Sequence, residues 1–421
     1  MTDAAAPVSA APAAARPTLA AGVRLTEIDL LRGLVIVLMA LDHVRDYMHN
    51  LAFSFDPLNP DQTTPMIYAT RWITHLCAPT FVFLSGVSAY LQLAKGKTPA
   101  QLSIFLLTRG IWLIVLEATV LSFGWSFALP YVLFLQVIWA IGWGMIALSA
   151  LIWLPRVAVL AIGLAIIAGH NLLDPLTQAQ FGSLGWLWML LHEGGPIFVD
   201  GAPVGLAAYP ILPWVGVMAA GYGAGALFTE PAETRNRKLL AIGLVMIAAF
   251  LALRGFNLYG NPVSGGGPGP FGVARTWQDQ ESVGAMIMAF FDVQKYPPSL
   301  QFVLITLGVS SLLLVALSKL RGVPAQVLNA FGAVPFFFYV LHIYLVHAVA
   351  IVANAAVGRD AGGLFGYMAN VFIAPERLQI LGFSLPWVYA AWLLVLALLY
   401  PVCRWWAGVR AREKKWWMSY L

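Results

Sequence analysis

Long apolar stretches alternate with short polar segments along most of this chain. A helix needs about 20 apolar residues to cross a bilayer, and ten stretches come close to that length. They predict an all-α, polytopic membrane protein. An even number of crossings places both termini on the same side of the membrane. The ten predicted transmembrane helices lie roughly at 30–50, 70–93, 100–122, 130–154, 156–172, 207–228, 238–256, 298–318, 325–352 and 385–407.

The polar segments divide the chain into a tail and one large domain. The first 23 residues are rich in Ala and Pro and lack the basic and apolar regions of a signal peptide, so we expect a disordered tail. Residues 24–421 then form a single transmembrane domain. Its longest connections, 51–69, 173–206 and 257–297, are predicted to be external loops.

The basic residues predict how the helices are oriented. With ten crossings, all but seven of the 24 Lys and Arg residues fall on the side that holds the termini. The positive-inside rule assigns that side to the cytoplasm, which predicts cytoplasmic termini in a bacterial-type inner membrane. The closing segment from Cys403 also combines basic side chains with paired Trp, which is typical of an interfacial anchor. The seven exceptions are Arg45, Arg71, Arg254, Arg275, Lys295, Arg359 and Arg377.

Composition excludes a water-soluble protein. The chain is 60% hydrophobic and 10% charged, whereas soluble domains have about 25% charged residues. Its net charge of +5 comes from basic residues dispersed between apolar stretches, so no nucleic-acid partner is predicted. The two cysteines, Cys77 and Cys403, are far apart and predict neither a disulfide framework nor a metal site. Membrane lipid is therefore the expected environment.

The first predicted helix carries ionisable residues at depth. Arg32 and His43 are eleven residues apart, which returns them to within about 20° of one face and separates them by roughly 16 Å along the axis. Asp42, Arg45 and His49 continue the polar pattern towards the outer end of the helix. Such groups usually face a bundle interior or a wet cavity. The alternative is that they simply end the helix at the outer interface.

His43 is the strongest candidate for chemistry. The apolar run LVIVLMAL covers only eight residues before Asp42, so a spanning helix carries Asp42 and His43 inside the membrane. An imidazole accepts a proton near neutral pH, and a neighbouring carboxylate can orient it. We therefore predict His43 as a base in a membrane cavity, with Asp42 as its partner.

Several ordered segments resemble a known family. Arg32, in IDLLRG, and His43 match the Arg-X10-His pattern of acyltransferase-3 type transmembrane acyltransferases. The resemblance continues over roughly residues 24–421 and is to the DUF1624 branch, bacterial relatives of heparan-α-glucosaminide N-acetyltransferase. It rests further on the segments ATRWITHLCAPTFVFLSGVSAYL, LPWVGVMAAGYGAG, KYPPSLQFVLITLG, FGAVPFFFYVLHIYLVH and WWMSYL.

The resemblance implies transfer of an acetyl or related acyl group from cytoplasmic acyl-CoA, with acetyl-CoA as the expected donor. The acceptor is expected to be an amino or hydroxyl group of an extracytoplasmic sugar or glycan. Arg32 is implied in acyl-CoA use and His43 in catalysis, as a base or as a transient acyl carrier. Spacing does not choose between His43 and His49 as the reactive histidine.

Polar residues of other helices complete the candidate site. Arg109 is predicted to contact CoA phosphates, since Arg makes bidentate contacts with them; the alternative is a positive-inside anchor. Arg71 and His75 share a helix face near an outer end, where they are candidates to bind the acceptor, although an interfacial Arg beside a packed His explains them equally well. The predicted acceptor-side set is Arg45, His49, Arg71, His75, Glu117 and His342.

Other function classes remain open at this stage. A transporter or flippase of a polar solute also needs charged helix interiors, but it has no use for acyl-CoA. A non-catalytic membrane subunit is a third reading. The chain has no HExxH, GxSxG or GKS/T motif, so metal catalysis, serine hydrolysis and ATP use have no support and no metal is expected. The oligomeric state is left open, and an oligomer is allowed.

Overall fold

The computed structural model describes residues 25–52, 54–261, 276–413 and 415–420. The protein is 74% helical with very little sheet, which confirms the all-α class. The predicted tail 1–23 and most of the Gly/Pro-rich part of the loop 257–297 lie outside the described residues.

The α-helices follow one another along the whole chain. They are α1 (Thr26–Met48), α2 (Pro65–Ile73), α3 (Cys77–Ala94), α4 (Pro99–Leu116), α5 (Ser122–Ser126), α6 (Val137–Leu151), α7 (Arg156–Gly169), α8 (Gly185–Trp188), α9 (Ile211–Ala224), α10 (Ala232–Gly255), α11 (Val283–Phe291), α12 (Leu300–Leu317), α13 (Gly322–Gly332), α14 (Pro335–Ala356), α15 (Tyr367–Ile373), α16 (Glu376–Gln379) and α17 (Leu385–Arg412).

Short 3₁₀ and π turns join several of these helices. The 3₁₀ turns are Thr74–Leu76, His170–Leu173, Gln178–Leu184, Gly225–Thr229, Trp277–Asp279, Ala361–Leu364 and Trp416–Ser419, and the π turns are Glu117–Leu121 and Met189–Glu193.

Eight helical segments within the described residues are long and apolar enough to cross a membrane. Each coincides with one of the ten predicted spans. The other two predicted spans correspond to α1, which has 23 residues but several charges, and to α6, which has only 15 residues. The multi-pass architecture is thus confirmed, and the count of ten stays a prediction.

Two predicted helices have different limits in the structure. The stretch 325–352 is divided, because α13 ends at Gly332 and α14 begins at Pro335. Proline is suited to the first turn of a helix but disfavours helical geometry in the residue before it. The stretch 130–154 begins with a short strand, and its helix starts only at Val137.

Three short strands of the described residues form a small sheet. Strands β2 (Gly195–Val199) and β3 (Ala202–Ala207) form an antiparallel hairpin within the predicted loop 173–206. Its turn, at Asp200 and Gly201, has positive φ at both residues, as tight hairpins with the usual strand twist require. Strand β1 (Leu133–Leu135) pairs parallel to β3, with Leu133 opposite Gly205.

Helix α1 is the centre of the bundle. Most of its residues are buried, and it packs against α3, α12, α13, α14 and α17. Gly33 and Gly332 let α1 and α13 touch, since a Cβ on either would overlap a carbonyl oxygen of the other helix. Small residues permit such close approach in membrane helices. This packing fixes the position of Arg32 beside the start of α14.

Candidate functional site

A cavity of about 250 Å³ opens at the inner end of the bundle, the end at which α1 begins and α17 ends. Its walls come from α1, α3, α4, α6, α14 and α17. Three arginines line it: Arg32, Arg109 and Arg410. Ser85, Ser88 and Gln92 add polar groups, and most other lining side chains are apolar. The cavity therefore combines a cationic region with an apolar interior.

The arginines of this cavity are held by neighbouring helices. Arg32 donates to Asp29 Oδ1 at 3.2 Å and to the Ser88 hydroxyl, which joins α1 to α3. Arg410 donates to the Ala333 carbonyl oxygen at 3.1 Å. A guanidinium group presents its donors in a planar fork, a shape that suits phosphate and carboxylate groups. The sequence predicted Arg32 and Arg109, but it counted Arg410 only among the basic residues on the cytoplasmic side.

His43 is paired with another histidine deeper in the bundle. Its Nδ1 lies 2.7 Å from Nε2 of His342, and the two rings stack with centroids 4.9 Å apart. His342 is fully buried and His43 is 8% exposed. A hydrogen bond between α1 and α14 thus orients His43. The spacing of residues within one helix does not predict this contact.

The backbone around His342 determines where the protons lie in the neutral pair. His342 Nδ1 faces the Tyr339 carbonyl oxygen at 2.6 Å, and a carbonyl can only accept. Nδ1 of His342 is therefore the donor, and its Nε2 accepts from Nδ1–H of His43. This assignment leaves Nε2 of His43 with a free lone pair. Among the described residues, no partner contacts that nitrogen.

Tyr339 connects the histidine pair to the cavity. Its side chain lines the cavity, and its ring lies edge-on to His43 with centroids 6.4 Å apart. The Tyr339 hydroxyl donates to Gln136 Oε1 at 3.3 Å. Trp125 covers another side of His43, with centroids 5.0 Å apart. His43 is therefore next to the deep end of the inner cavity and largely shielded by aromatic rings.

A network of buried charges lies on the outer side of His43. Asp42 Oδ2 accepts from Arg71 at 2.6 Å, and its Oδ1 accepts from Arg45 at 3.0 Å. Arg45 also binds Asp46 Oδ1 at 2.6 Å. Buried ions are tolerated when several partners share them. The carboxylate of Asp42 is thus engaged by two arginines, while the hydrogen bond that orients His43 comes from His342.

Two residues that the sequence did not predict complete this network. Lys295 is buried, with its Nζ 5.0 Å from the centre of the Tyr296 ring, and its charge acts on Asp42 and His43. The Tyr296 side chain is hydrogen-bonded to Arg71. The sequence placed Lys295 in an external loop; in the structure, Val293 and Lys295 are buried just before α12. The outer side of His43 is therefore cationic.

The remaining predicted residues lie around this centre or beyond it. His75 is buried against Phe302, with ring centroids 5.3 Å apart. Glu117 is fully buried in a π turn, where Oε1 accepts from the backbone N–H of Gln136 at 2.9 Å. His49 lies just past α1, in a backbone bridge to Phe383. None of these three contacts the His43 ring, and their predicted roles stay predictions.

One group of ionisable side chains within the described residues is close enough to hold a metal ion. It consists of His170, Asp174 and His192 and lies at the outer end of α7, outside the network around His43. The sequence predicted no metal, since it contains no motif that brings these residues together.

The fold and this site define a polytopic membrane protein with a cationic inner cavity and a buried histidine pair. Residues 24–258 match the family described as heparan-alpha-glucosaminide N-acetyltransferase, catalytic. The match covers more than half of the chain, so the chain belongs to this family, which confirms the resemblance to it; the DUF1624 branch stays a prediction. It indicates an acetyltransferase that acts on glycan-type substrates. No curated protein matches the chain.

Proposed function

We propose that this protein moves an acetyl or related acyl group from cytoplasmic acyl-CoA to an amino or hydroxyl group of an extracytoplasmic sugar, at His43. The observation that carries the proposal is the hydrogen-bond chain from the Tyr339 carbonyl through His342 to His43. It leaves one lone pair on His43 Nε2 in a site next to the inner cavity. A base fixed in this tautomer suits acyl transfer.

The inner cavity suits an acyl-CoA donor. Arg32, Arg109 and Arg410 offer positive charge to its phosphates, and the apolar interior suits the thioester arm. With the inner end cytoplasmic, as the basic residues predict, the donor enters from the compartment that supplies it. Tyr339 then marks the depth that the thioester reaches.

The simplest reaction is direct transfer. The acceptor nitrogen or oxygen attacks the thioester carbonyl carbon while its proton passes to His43 Nε2. Collapse of the tetrahedral intermediate breaks the C–S bond, and the departing CoA thiolate takes that proton from His43. His342 holds the ring in place and shares the imidazolium charge through the 2.7 Å contact.

A two-step reaction uses the same atoms. His43 Nε2 attacks the thioester carbonyl carbon, the C–S bond breaks and CoA leaves as the thiolate, so an acyl-imidazolium forms whose Nδ1–H still donates to His342. The acceptor then attacks this intermediate, loses a proton and regenerates His43. Both routes pass through an oxyanion, and Lys295 and Arg71 make the outer side of His43 cationic, which stabilises developing negative charge.

The acceptor is proposed to approach from the outer end. Asp46 is the most exposed member of the charge network, with 27% of its side chain accessible. Arg45, Arg71 and His75 lie on the same side as Asp46, and hydroxyl or amino groups of a sugar are natural partners for such side chains. His342 orients His43 in this proposal, so its part in acceptor binding is indirect.

Acyl transfer in reconstituted vesicles tests the proposal. Acetyl-CoA is supplied on one side and a panel of amino sugars on the other, and acetylated sugar is measured by mass spectrometry. We expect transfer by the wild type and no detectable transfer by His43→Ala. The matched variant His49→Ala is expected to transfer clearly more acetyl groups than His43→Ala. Full activity of His43→Ala would contradict the proposal.

The same vesicles separate the rival readings. Acetyl-enzyme trapped from labelled acetyl-CoA without acceptor would select the two-step route, and its absence in rapid-quench experiments would select direct transfer. A transporter would move the sugar without acetylating it and without binding acetyl-CoA.

A further inference from the structure

We propose that His170, Asp174 and His192 form a zinc site that fastens the outer end of α7 to the external segment before β2. The group is independent of acyl transfer. His170 lies in the 3₁₀ turn His170–Leu173, Asp174 follows that turn, and His192 lies in the π turn Met189–Glu193. One ligand atom of each residue lies within 4.8 Å of the other two.

The donor set fits zinc better than a hard cation. Two imidazole nitrogens and one carboxylate oxygen are ligands that Zn²⁺ takes readily, whereas Mg²⁺ and Ca²⁺ prefer oxygen alone. Bond lengths near 2.1 Å place tetrahedral ligand atoms about 3.4 Å apart. His192 Nε2 and Asp174 Oδ1 are already 3.5 Å apart. The distances from His170, which are at most 4.8 Å, must shorten towards the tetrahedral value when the metal binds.

His170 is a buried group without good hydrogen bonds. It is 3% exposed, and neither of its ring nitrogens makes a hydrogen bond of good geometry within the described residues, although the Pro298 carbonyl lies nearby. Asp174 Oδ1 also has no hydrogen bond there. Buried polar atoms in folded proteins are normally satisfied. A metal ion bound by His170 and Asp174 satisfies both at once.

Neighbouring residues hold the other two ligands in position. Asn171 Nδ2 donates to Asp174 Oδ2 at 2.9 Å, which turns Oδ1 towards the histidines. The Trp188 ring stacks on His192 with centroids 5.2 Å apart. Partners of this kind orient metal ligands in known sites.

Metal binding exchanges one contact of His192. In the absence of metal, its Nε2 faces the His170 carbonyl oxygen at 2.9 Å. Binding through this nitrogen requires the other neutral tautomer, with the ring proton on Nδ1, and gives up that hydrogen bond. The Asp174 side chain is 21% exposed, so a water molecule can reach the fourth position. The arrangement is that of three protein ligands and one water.

Zinc titration of the purified full-length protein tests the site. The affinity tag must lack histidine, and the protein is first stripped with a chelator. We expect one saturable zinc per chain by calorimetry and elemental analysis. His170→Gln and Asp174→Asn are expected to weaken binding by at least about 100-fold. Asp200→Asn, an external carboxylate variant in a turn that favours Asn, is the matched control and is expected to bind like the wild type.

Two further measurements make the result decisive if a variant folds poorly. X-ray absorption of the wild-type zinc complex is expected to show two imidazole ligands, and zinc is expected to raise the melting temperature of the wild type but not of Asp174→Asn. The proposal is overturned if zinc fails to saturate at one per chain. It is also overturned if the absorption spectrum lacks histidine, or if the triple variant His170→Gln, Asp174→Asn, His192→Gln binds as the wild type does.

Discussion

The molecule has two pairs of neighbouring histidines, and their surroundings differ. His43 and His342 stack nearly parallel, at 16°, and share one short hydrogen bond. His170 and His192 are tilted by 58°, with a carboxylate oxygen 3.5 Å from one ring nitrogen. In the proposed reaction, the first pair directs a lone pair towards the thioester, and in the proposed zinc site the second pair binds one metal ion.

The atoms behind each pair account for the difference. A backbone carbonyl accepts from His342, so the proton positions along the inner pair are fixed. The nearby carboxylate of Asp42 is occupied by two arginines. Beside the outer pair, Asp174 Oδ1 has no such cation within the described residues, which leaves it to bind a ligand. The neighbours of a histidine, more than its burial, therefore determine its chemistry.

Removal of His43 is expected to have the largest effect. His43→Ala takes away the proposed base next to the deep end of the inner cavity, and transfer is expected to fall about 1000-fold or more, within the range of positioned acid–base groups. Zinc content is expected to stay at the wild-type value. Steady-state rates and elemental analysis of the same preparation check both, and loss of zinc in this variant would link two sites that we treat as separate.

Loss of the Arg71 partner of Asp42 is expected to destabilise the folded protein. Arg71→Met leaves one carboxylate oxygen without its partner, and breaking a buried pair of this kind costs about 3 kcal/mol. Thermal unfolding in detergent measures the loss. The double variant Asp42→Asn, Arg71→Met is expected to regain part of the stability, and strict additivity of the two single changes would argue against a direct interaction.

The orientation of His43 is tested at His342. His342→Leu removes the acceptor for His43 Nδ1–H, and kcat is expected to fall about 100-fold with little change in KM, at the low end of acid–base effects. His342→Gln supplies an amide oxygen and is expected to retain more activity than His342→Leu. Equal loss in the two variants would show that packing, rather than the hydrogen bond, is what His342 contributes.

The smallest expected effect is on the binding of acetyl-CoA. Arg410→Ala removes one charged contact from the inner cavity, and KM for acetyl-CoA is expected to rise about 10-fold with kcat almost unchanged, as for loss of one charge-assisted hydrogen bond. The matched control is Arg412→Ala, because Arg412 is the last residue of the same helix and does not line the cavity. A similar rise in both variants would favour a general effect of positive charge at the membrane surface.

The helical framework was accessible from the sequence because a bilayer constrains the chain so strongly. Backbone groups in lipid must be satisfied within the segment, so an apolar stretch of spanning length is a helix. All eight segments able to cross the membrane had been predicted. The breaks at Pro335 and before Val137 were missed, because apolar composition continues through them.

The candidate site was accessible only in part. The eleven-residue spacing of Arg32 and His43 depends on local helix geometry, which a sequence reveals. The partners His342, Lys295 and Arg410 come from segments hundreds of residues away, and no local pattern brings them to α1. The proposed zinc ligands His170 and His192 were likewise not identified, since 21 residues separate them in the sequence.

The sequence alone determined that lipid is the solvent, that the chain is helical, and which helix carries charges through the membrane. It also supported the family resemblance. Only the tertiary structure decided which histidines contact each other, which arginines bind the carboxylate of Asp42, and that Lys295 is buried near Asp42 and His43. Hydrophobicity and helix period act on neighbours along the chain, whereas the direction of a lone pair depends on atoms that only folding brings together.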